Sequence, residues 1–232
     1  MRLAFIGYGA MGQLVAKLAK EQGHEIGAKI TSRDADRNQE EVVTELGSCD
    51  LAIDFSVASA VPGNIDTCML AGIPLVEGTT GWKINRNELE RSIDESNGAI
   101  IYGANFSVGA QLFYRVAASA AELFQNLESY DAFIEEAHHK RKRDAPSGTA
   151  LQLGEIVAEH LGREVPISST RAGHIPGTHR VGFDSSADQI TLEHVARSRE
   201  GFAAGALMAG KWIIGRKGVY EFSEVFDEII RS

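Results

Sequence analysis

The N-terminal segment constrains the fold more strongly than any other part of the sequence. An apolar run, Leu3-Ala4-Phe5-Ile6, leads directly into the glycine-rich hexapeptide Gly7-Tyr8-Gly9-Ala10-Met11-Gly12, and apolar residues then recur at helical spacing as far as about Gln22. In such a strand–turn–helix unit the first glycine forms the turn, the second admits a pyrophosphate and the third lets helix and strand pack closely. The segment therefore predicts a Rossmann-type unit with a dinucleotide at the helix N-terminus. A purely structural glycine turn is the alternative.

Strand-like and helix-like segments alternate through the first part of the chain. Strands are predicted at residues 26–30, 51–55, 73–76 and 100–102, and a helix at residues 58–70. Strands that alternate with helices indicate a parallel sheet covered by helices on both faces. The predicted fold class of this part is therefore α/β, a doubly wound parallel sheet of the Rossmann type.

The pattern changes after Phe106. An amphipathic helix is predicted over residues 110–127, a strand over 132–138, and a helix over 148–161 that ends at Gly162. Strand-like runs follow between residues 166 and 195, and another helix is predicted over 202–214. We therefore predict a dinucleotide-binding domain of residues 1–106 and 200–232, and a second, α+β domain of residues 107–199.

Composition and charge argue against several classes of function. The 232 residues are 44% hydrophobic and 24% charged, as in ordinary globular proteins, and their net charge is −9. An acidic surface argues against nucleic acid or an anionic membrane as a partner. No apolar run approaches the roughly 18 residues of a membrane-spanning helix, and the N-terminal run is too short for a signal peptide. We therefore expect a cytoplasmic protein. Its two cysteines, Cys49 and Cys68, lack the spacing of a metal site or a disulfide framework.

The end of the second predicted strand bears on the choice of cofactor. NAD-binding sites usually carry an acidic residue at this point, which grips the ribose hydroxyls. Here the chain reads Thr31-Ser32-Arg33-Asp34. A hydroxyl at Ser32 and a guanidinium at Arg33 suit a 2′-phosphate, because the guanidinium fork binds phosphate oxygens. This arrangement favours NADPH, with Asp34 as the ribose-binding residue in the alternative reading.

A basic segment stands out in this acidic chain, because residues 138–143 read His-His-Lys-Arg-Lys-Arg. A histidine such as His138 titrates near neutral pH and suits proton delivery, and a lysine adds a compact positive charge. Ser147, Gly148 and Thr149 then open a helix whose N–H groups and hydroxyls can bind a carboxylate. The spacing completes no zinc site, so no metal is expected. The segment predicts a site for a small anionic ligand, with a solvated basic loop before a helix cap as the alternative.

Residues 136–150 also resemble the signature of a known family. They read Glu-Ala-His-His-Lys-Arg-Lys-Arg-Asp-Ala-Pro-Ser-Gly-Thr-Ala, which fits the pattern E-x-H-H-x-x-K-x-D-A-P-S-G-T-A of the dihydrodipicolinate reductase family. The similarity covers nearly the whole chain and includes residues 7–12, 78–81, 104–109, 171–173, 194–199 and 202–206. An acidic residue common at the end of the second strand in this family is absent here, which puts a preference for NAD in doubt.

The resemblance implies a specific reaction. A reduced cofactor, NADPH and/or NADH, is expected to transfer a hydride to 4-hydroxy-tetrahydrodipicolinate, which loses its hydroxyl as water and becomes tetrahydrodipicolinate in diaminopimelate and lysine biosynthesis. The resemblance makes His138 the proton donor and Lys142 a second donor or charge stabiliser. It further implies that the cyclic dicarboxylate binds between the domains and that the protein is a homotetramer joined through the sheet of the second domain.

The residues expected to bind cofactor and substrate follow from the glycine motif, the end of the second strand and the resemblance. The expected cofactor contacts lie in the glycine turn, after the second strand and in two later loops, namely Gly7, Tyr8, Gly9, Ala10, Met11, Gly12, Ser32, Arg33, Gly78, Thr79, Thr80, Gly103, Ala104, Asn105 and Phe106. The expected substrate contacts are His139, Ser147, Gly148, Thr149 and Thr80.

Two other functions are compatible with parts of the sequence. A different two-domain reductase, such as an amino-acid or aldose-type dehydrogenase, accounts for the glycine turn but gives no reason for the segment from His138 to Thr149. A catalytically silent nucleotide-binding sensor is a third possibility. Loss of the histidine or the lysine would favour it, yet His138 and Lys142 are both present. Cofactor binding without turnover would distinguish the sensor from an enzyme.

Overall fold

A computed structural model describes residues 1–34, 36–83 and 85–231 of the chain. The chain divides into two compact units, Met1–Ser107 with Arg199–Ser232, and Val108–Ser198. In chain order the helices and strands are β1 (Arg2–Ile6), α1 (Ala10–Glu21), β2 (Glu25–Ile30), α2 (Gln39–Gly47), β3 (Leu51–Asp54), α3 (Val61–Leu70), β4 (Leu75–Glu77), α4 (Arg86–Glu95), β5 (Ala99–Tyr102), α5 (Val108–Phe124), β6 (Asp131–His138), α6 (Gly148–Leu161), β7 (Ile167–Arg171), β8 (Thr178–Asp184), β9 (Gln189–Val195), α7 (Glu200–Ile213), β10 (Gly218–Glu221) and α8 (Phe222–Ile229). None of the helices in the described ranges is long and apolar enough to cross a membrane.

The first unit is built on a six-stranded sheet with the order β10-β5-β4-β3-β1-β2, in which all neighbouring strands are parallel. β3 and β4 are buried along their whole length, as expected for strands covered on both faces. The chain leaves β1 for β2 on one side and then continues to β3 on the other. Such a reversal opens a crevice at the carboxyl ends of the strands, where nucleotides bind in sheets of this type. The predicted doubly wound fold is confirmed.

The second unit contains a four-stranded mixed sheet with the order β7-β6-β8-β9. β6 pairs with β7 in parallel and with β8 antiparallel, and β8 pairs with β9 antiparallel. An apolar core joins the sheet to the helices α5 and α6 and includes Phe113, Ile134, Leu153 and Phe183. Each such buried side chain contributes about 1.5–3 kcal/mol relative to an exposed one. This unit has the predicted α+β character.

Burial alternates along β6, and this alternation positions the site. Ala132, Ile134, Glu136 and His138 are all buried, whereas the residues between them are half-buried or exposed. Successive side chains of a strand point to opposite faces, so these four share the inner face of the sheet. Ala132 and Ile134 contribute to the apolar core, and the next two inward positions are ionisable. The strand therefore places a carboxyl group and an imidazole next to each other at its buried carboxyl end.

Several element boundaries differ from the predictions. The helix predicted at 58–70 begins at Val61, with Pro62 in its first turn. The strand predicted at 73–76 begins only after Pro74, which has no N–H for a ladder. Some short or polar elements, among them α2 and β10, are not predicted from the sequence. The only buried residue of α2 is Leu46, and all four residues of β10 are half-buried. Such elements carry little hydrophobic periodicity, so the sequence pattern does not reveal them.

Candidate active site

The glycine turn after β1 has the geometry that a dinucleotide requires. Gly7 adopts φ +78°, and a Cβ atom there would lie 2.5 Å from the carbonyl oxygen of Phe55. A Cβ at Gly12 would lie 2.1 Å from the carbonyl oxygen of Gly7. A Cβ at Gly9 would meet no atom within 4 Å, so the backbone there is open to a ligand. Gly9 also caps α1 without a side-chain hydrogen bond, and the first turn of α1 has no acidic residue. These features fit a pyrophosphate at the helix N-terminus.

Two further predicted cofactor segments follow β4 and β5, at the same edge of the sheet as the glycine turn. In the first, Gly78 packs so closely on the Phe55 ring that a Cβ would lie 2.3 Å away, while Thr79 is buried and Thr80 is exposed. In the second, Ala104 is exposed and Phe106 is buried. The carboxyl ends of parallel strands meet at one edge, so the fold brings these segments to the crevice beside β1.

The turn after β2 uses its acidic residue internally. One carboxylate oxygen of Asp34 accepts hydrogen bonds from the N–H and the hydroxyl of Thr31, both at 2.9 Å, and Arg37 donates to the other at 3.4 Å. The hydrogen bonds from Thr31 are the main reason why the pKa of Asp34 is lowered. Ser32 and Arg33 are exposed. The acidic residue is thus engaged within the turn, and the exposed side chains belong to Ser32 and Arg33.

In the second unit, a buried ion-pair cluster surrounds Glu136. Arg171 donates to both of its carboxylate oxygens, at 2.8 and 2.6 Å, and the N–H of Ser147 donates to one of them at 3.3 Å. A further hydrogen-bond partner is Nδ1 of His138. An ionised carboxylate only accepts hydrogen bonds, so Nδ1 carries a proton and Nε2 is the ring nitrogen left for chemistry. A Cβ built on Gly177 would lie 3.2 Å from that Nε2.

The pKa values in this cluster follow from its burial and its charges. Burial raises the pKa of Glu136, but hydrogen bonds from Arg171, Ser169 and His138 outweigh it and bring the pKa to about 2. Burial is the main reason why the pKa of His138 is lowered, and the nearby Glu136 opposes this shift. Glu136 is therefore ionised throughout the neutral range, and His138 is mainly neutral in the free protein.

The start of α6 is organised by Ser147. Its hydroxyl accepts a hydrogen bond from the N–H of Ala150 at 3.2 Å, which caps the helix. The same hydroxyl lies 3.1 Å from Nε2 of the buried His179. Gly148 is exposed, and a Cβ there would meet open space. Four predicted site residues, His138, Ser147, Gly148 and Thr149, thus lie around the Glu136 cluster and the helix start beside it.

The basic loop between β6 and α6 carries the other predicted residues. Lys142 is half-buried, and its Nζ lies 2.8 Å from a carboxylate oxygen of Asp144. This hydrogen bond is the main reason why the pKa of Asp144 is lowered. His139 is half-buried, and its Nδ1 has no hydrogen-bond partner among the described residues. No group of three or more His, Cys, Asp or Glu residues within the described ranges could hold a metal ion.

Sequence reasoning assigned no role to three residues of this site, Glu136, Arg171 and His179, although the first two lie in segments that resemble the family. Strand alternation from His138 puts Glu136 on the same inner face, so a signal for it exists in the sequence. Arg171 and His179 belong to β7 and β8, and they reach the site only through the pairing of these strands with β6. The pairing register cannot be read from their local sequence.

Comparisons with known proteins identify the family of this chain. The family model described as "Dihydrodipicolinate reductase, N-terminus" matches residues 1–106, and that described as "Dihydrodipicolinate reductase, C-terminus" matches residues 109–226. The chain is 35% identical to 4-hydroxy-tetrahydrodipicolinate reductase of Christiangramia forsetii, over 100% of both chains. It is 35% identical to the enzyme of the same name from Methanosarcina barkeri, over 82% of this chain and 77% of the relative.

Solved structures show the same fold. Dipicolinate-bound dihydrodipicolinate reductase from Paenisporosarcina sp. TG-14 superposes with a TM-score of 0.79 at 21% identity, covering 97% of this chain and 99% of the other. A probable dehydrogenase from Thermotoga maritima superposes with a TM-score of 0.61 at 11% identity, covering 99% and 93%. At such identities the likeness concerns the fold alone.

Proposed function

We propose that this chain, which belongs to the dihydrodipicolinate reductase family, reduces 4-hydroxy-tetrahydrodipicolinate to tetrahydrodipicolinate with loss of water, in diaminopimelate and lysine biosynthesis. The family models together span residues 1–106 and 109–226. The observation that carries the proposal is the buried Glu136–His138 pair beside the start of α6, which joins a proton-transfer group to an anion-binding helix end.

The first unit is proposed to hold NADPH or NADH, which supplies a hydride when bound. The pyrophosphate is assigned to residues 7–12, because Gly9 is open and the N-terminus of α1 has no acidic residue. Residues 78–80 and 103–106 are assigned to the remainder of the cofactor. Ser32 and Arg33 are assigned to the ribose and its 2′-phosphate, which gives the proposed preference for NADPH.

His138 is the proposed proton donor. Its Nδ1–H is held by Glu136, which fixes the ring orientation and directs Nε2 away from the carboxylate. Because Glu136 stays ionised, it stabilises the imidazolium that must form before Nε2 can donate. A dianionic substrate adds two negative charges near the ring, and these oppose the effect of burial on the pKa of His138. Substrate binding is therefore expected to charge the donor.

The substrate carboxylates are proposed to bind cations and helix-end donors. Ser147, Gly148 and Thr149 form the start of α6, where backbone N–H groups and the positive end of the helix dipole favour an anion. Lys142 is proposed to exchange its contact with Asp144 for a substrate carboxylate or the developing charge. His139 and Thr80 are the remaining proposed contacts.

The two domains have different proposed roles. Cofactor binding belongs to residues 1–106 and 200–232, and substrate binding and oligomerisation belong to residues 107–199. A homotetramer joined through the second sheet belongs to the same proposal, and Val195 is an exposed apolar residue on the outer face of β9. A cytoplasmic location remains a prediction from the sequence.

The test is a coupled assay with the purified protein. Pyruvate, aspartate semialdehyde and a dihydrodipicolinate synthase generate the substrate in place, while the absorbance of NADPH or NADH is followed in separate reactions. We expect oxidation that requires the synthase, with a higher kcat/KM for NADPH. Omitting the synthase is the control. Binding of NADPH, seen by its fluorescence, without synthase-dependent oxidation would instead indicate a different substrate or a silent nucleotide sensor.

A further inference from the structure

Two buried carboxyl groups lie side by side under the predicted cofactor loops. Asp54 ends β3, Glu77 ends β4, and the two residues are register partners on these neighbouring parallel strands. Neither residue is exposed to solvent. Buried carboxyl groups are rare unless they are paired or hydrogen-bonded, and the proposed chemistry of the second unit does not use these two. Their burial must therefore serve another role.

The carboxyl pair connects the loops that follow the two strands. Asp54 accepts hydrogen bonds from the N–H of Ser56 and from the side-chain amide of Asn64, both at 2.7 Å. Glu77 accepts one from the N–H of Thr79 at 2.7 Å. The hydroxyl of Thr79 accepts from the N–H of Ser56 at 3.0 Å and donates to Asp54 at 3.4 Å. The backbone just after β3 is thus tied to the backbone just after β4.

The charges around the pair require it to hold a proton. Neither carboxyl group has an ion pair with a Lys, Arg or His side chain in the described part of the chain. The titratable group that faces the pair from α3 is Cys68, a buried thiol whose pKa is raised by burial and by both carboxyl groups. The two carboxyl groups are buried register partners, and two uncompensated negative charges there would repel each other, so Glu77 holds a proton.

The hydrogen bonds indicate which oxygen carries this proton. Ser56 and Asn64 donate hydrogen bonds to Asp54, so the oxygens of Asp54 act as acceptors. Oε2 of Glu77, by contrast, is buried and accepts no hydrogen bond from the described residues. A side-chain hydrogen bond with Asp54 is one of the causes that raise the pKa of Glu77, so we assign Asp54 as the acceptor of a proton on that oxygen. Burial, and then the charge of Asp54, raise the pKa of Glu77 to about 9. Glu77 is therefore a neutral acid at neutral pH.

We propose that Glu77 is a positioning residue of the dinucleotide site, which donates its acid proton to Asp54 and thereby holds residues 78–80 in the conformation that accepts the cofactor. This inference rests on the proposed binding of NADPH or NADH to the first unit. Loss of the proton leaves two adjacent buried anions, which repel each other and draw water to the end of β4. The loop that begins at Gly78 is then displaced, and the affinity for the cofactor falls.

The affinity for the cofactor is expected to fall as the pH rises. Binding requires the protonated pair, so it is intact below the pKa of Glu77 and is lost as the pH rises through about 9. One pH unit above that value, Glu77 is protonated in about a tenth of the molecules, and only these bind the cofactor. The Kd for NADPH is therefore expected to be raised about tenfold. Glutamine in place of Glu77 keeps an acceptor for the N–H of Thr79 and a donor for Asp54, but it cannot ionise.

The experiment is a fluorescence titration of the full chain with NADPH from about pH 7 to about pH 10. The wild-type Kd should rise about tenfold, whereas the Kd of Glu77→Gln should stay within about twofold across the range. Glu77→Ala, which removes both hydrogen bonds, should bind weakly at every pH. Glu88→Gln, an exposed carboxyl of the same unit, is the matched control and should follow the wild-type profile.

The outcomes separate this proposal from the proposed function. If NADPH binds at no pH, the nucleotide site itself is wrongly assigned. If NADPH binds but wild type and Glu77→Gln lose affinity in parallel, the carboxyl pair has no positioning role. Infrared difference spectra of the free protein give an independent reading, because the carbonyl band of a protonated acid should disappear at alkaline pH in wild type. The same band change in Glu77→Gln would overturn the assignment of the proton to Glu77.

Discussion

Arg171 binds both carboxylate oxygens of Glu136, with Nη1 2.8 Å from Oε2 and Nη2 2.6 Å from Oε1. Arg171 ends β7, where it is the register partner of His138, so its side chain reaches back two residues along β6. This contact keeps Glu136 ionised, and the ionised carboxylate fixes the proton of His138 on Nδ1. The position of the proposed proton donor thus depends on an arginine from another strand.

Replacing Arg171 with alanine is expected to destabilise the fold strongly. The variant leaves Glu136 as a buried charge without its main partner, and breaking such a pair costs about 3 kcal/mol of the free energy of unfolding. Urea denaturation measures this loss. Arg180→Ala is the matched control, because Arg180 pairs with exposed carboxylates of the same sheet. Similar losses in both variants would show that the cluster around Glu136 is not buried as described.

His179 is expected to make stability depend on pH. Burial is the main cause that lowers the pKa of His179 from 6.5 to about 4. Between these values the unfolded chain binds a proton that the folded chain does not, so the free energy of unfolding falls as the pH is lowered from about 6.5 to about 4. His179→Gln should reduce this slope in urea denaturation, whereas His174→Gln, an exposed neighbour, should keep it. An unchanged slope in His179→Gln would place the titration elsewhere.

His138→Gln is expected to lower kcat in the coupled assay by about 10²–10⁴-fold, because it removes the proposed general acid. The affinity for NADPH, measured by fluorescence, should not change, because the proposed cofactor residues belong to the other unit. His160→Gln, on α6 of the same unit, is the control. Wild-type turnover in His138→Gln would remove this residue from the mechanism.

Lys142→Ala is expected to weaken substrate binding and turnover. A hydrogen bond to a charged group contributes about 1.5–3 kcal/mol, so kcat/KM should fall by roughly 10–100-fold. Lys140→Ala is the control, because Lys140 has the same charge in the same loop but is exposed. Equal losses in the two variants would mean that the loop contributes only its overall charge, and that Lys142 has no individual role.

Arg33→Ala is expected to weaken NADPH more than NADH, because only NADPH carries the 2′-phosphate that a guanidinium binds. The ratio of the two Kd values, each measured by fluorescence, should change by about tenfold. Arg91→Ala, an exposed arginine on α4, should leave the ratio as it is. If Arg33→Ala weakens both cofactors equally, Arg33 does not contact the phosphate.

The sequence predicts those parts of the fold whose cause is local. The glycine turn is recognisable because a tight turn, an open backbone and a close helix contact each require glycine at a fixed spacing. The helix predicted over 148–161 has these bounds in the structure, because Ser147 caps its start and Gly162, with φ +66°, ends it. His138 and the start of α6 could be proposed as a site for the same reason, since they lie within one short segment.

The remaining features depend on contacts between distant segments. β10 is invisible in the sequence because only its pairing with β5 makes four half-buried residues a strand. The Glu136–Arg171 pair joins residues 35 positions apart, and the Asp54–Glu77 pair depends on the register of β3 against β4. Local periodicity and capping determine which segments become strands and helices. Strand register decides which ionisable side chains meet in a buried place, and burial in turn sets their pKa values, so this chemistry is decided only in the tertiary structure.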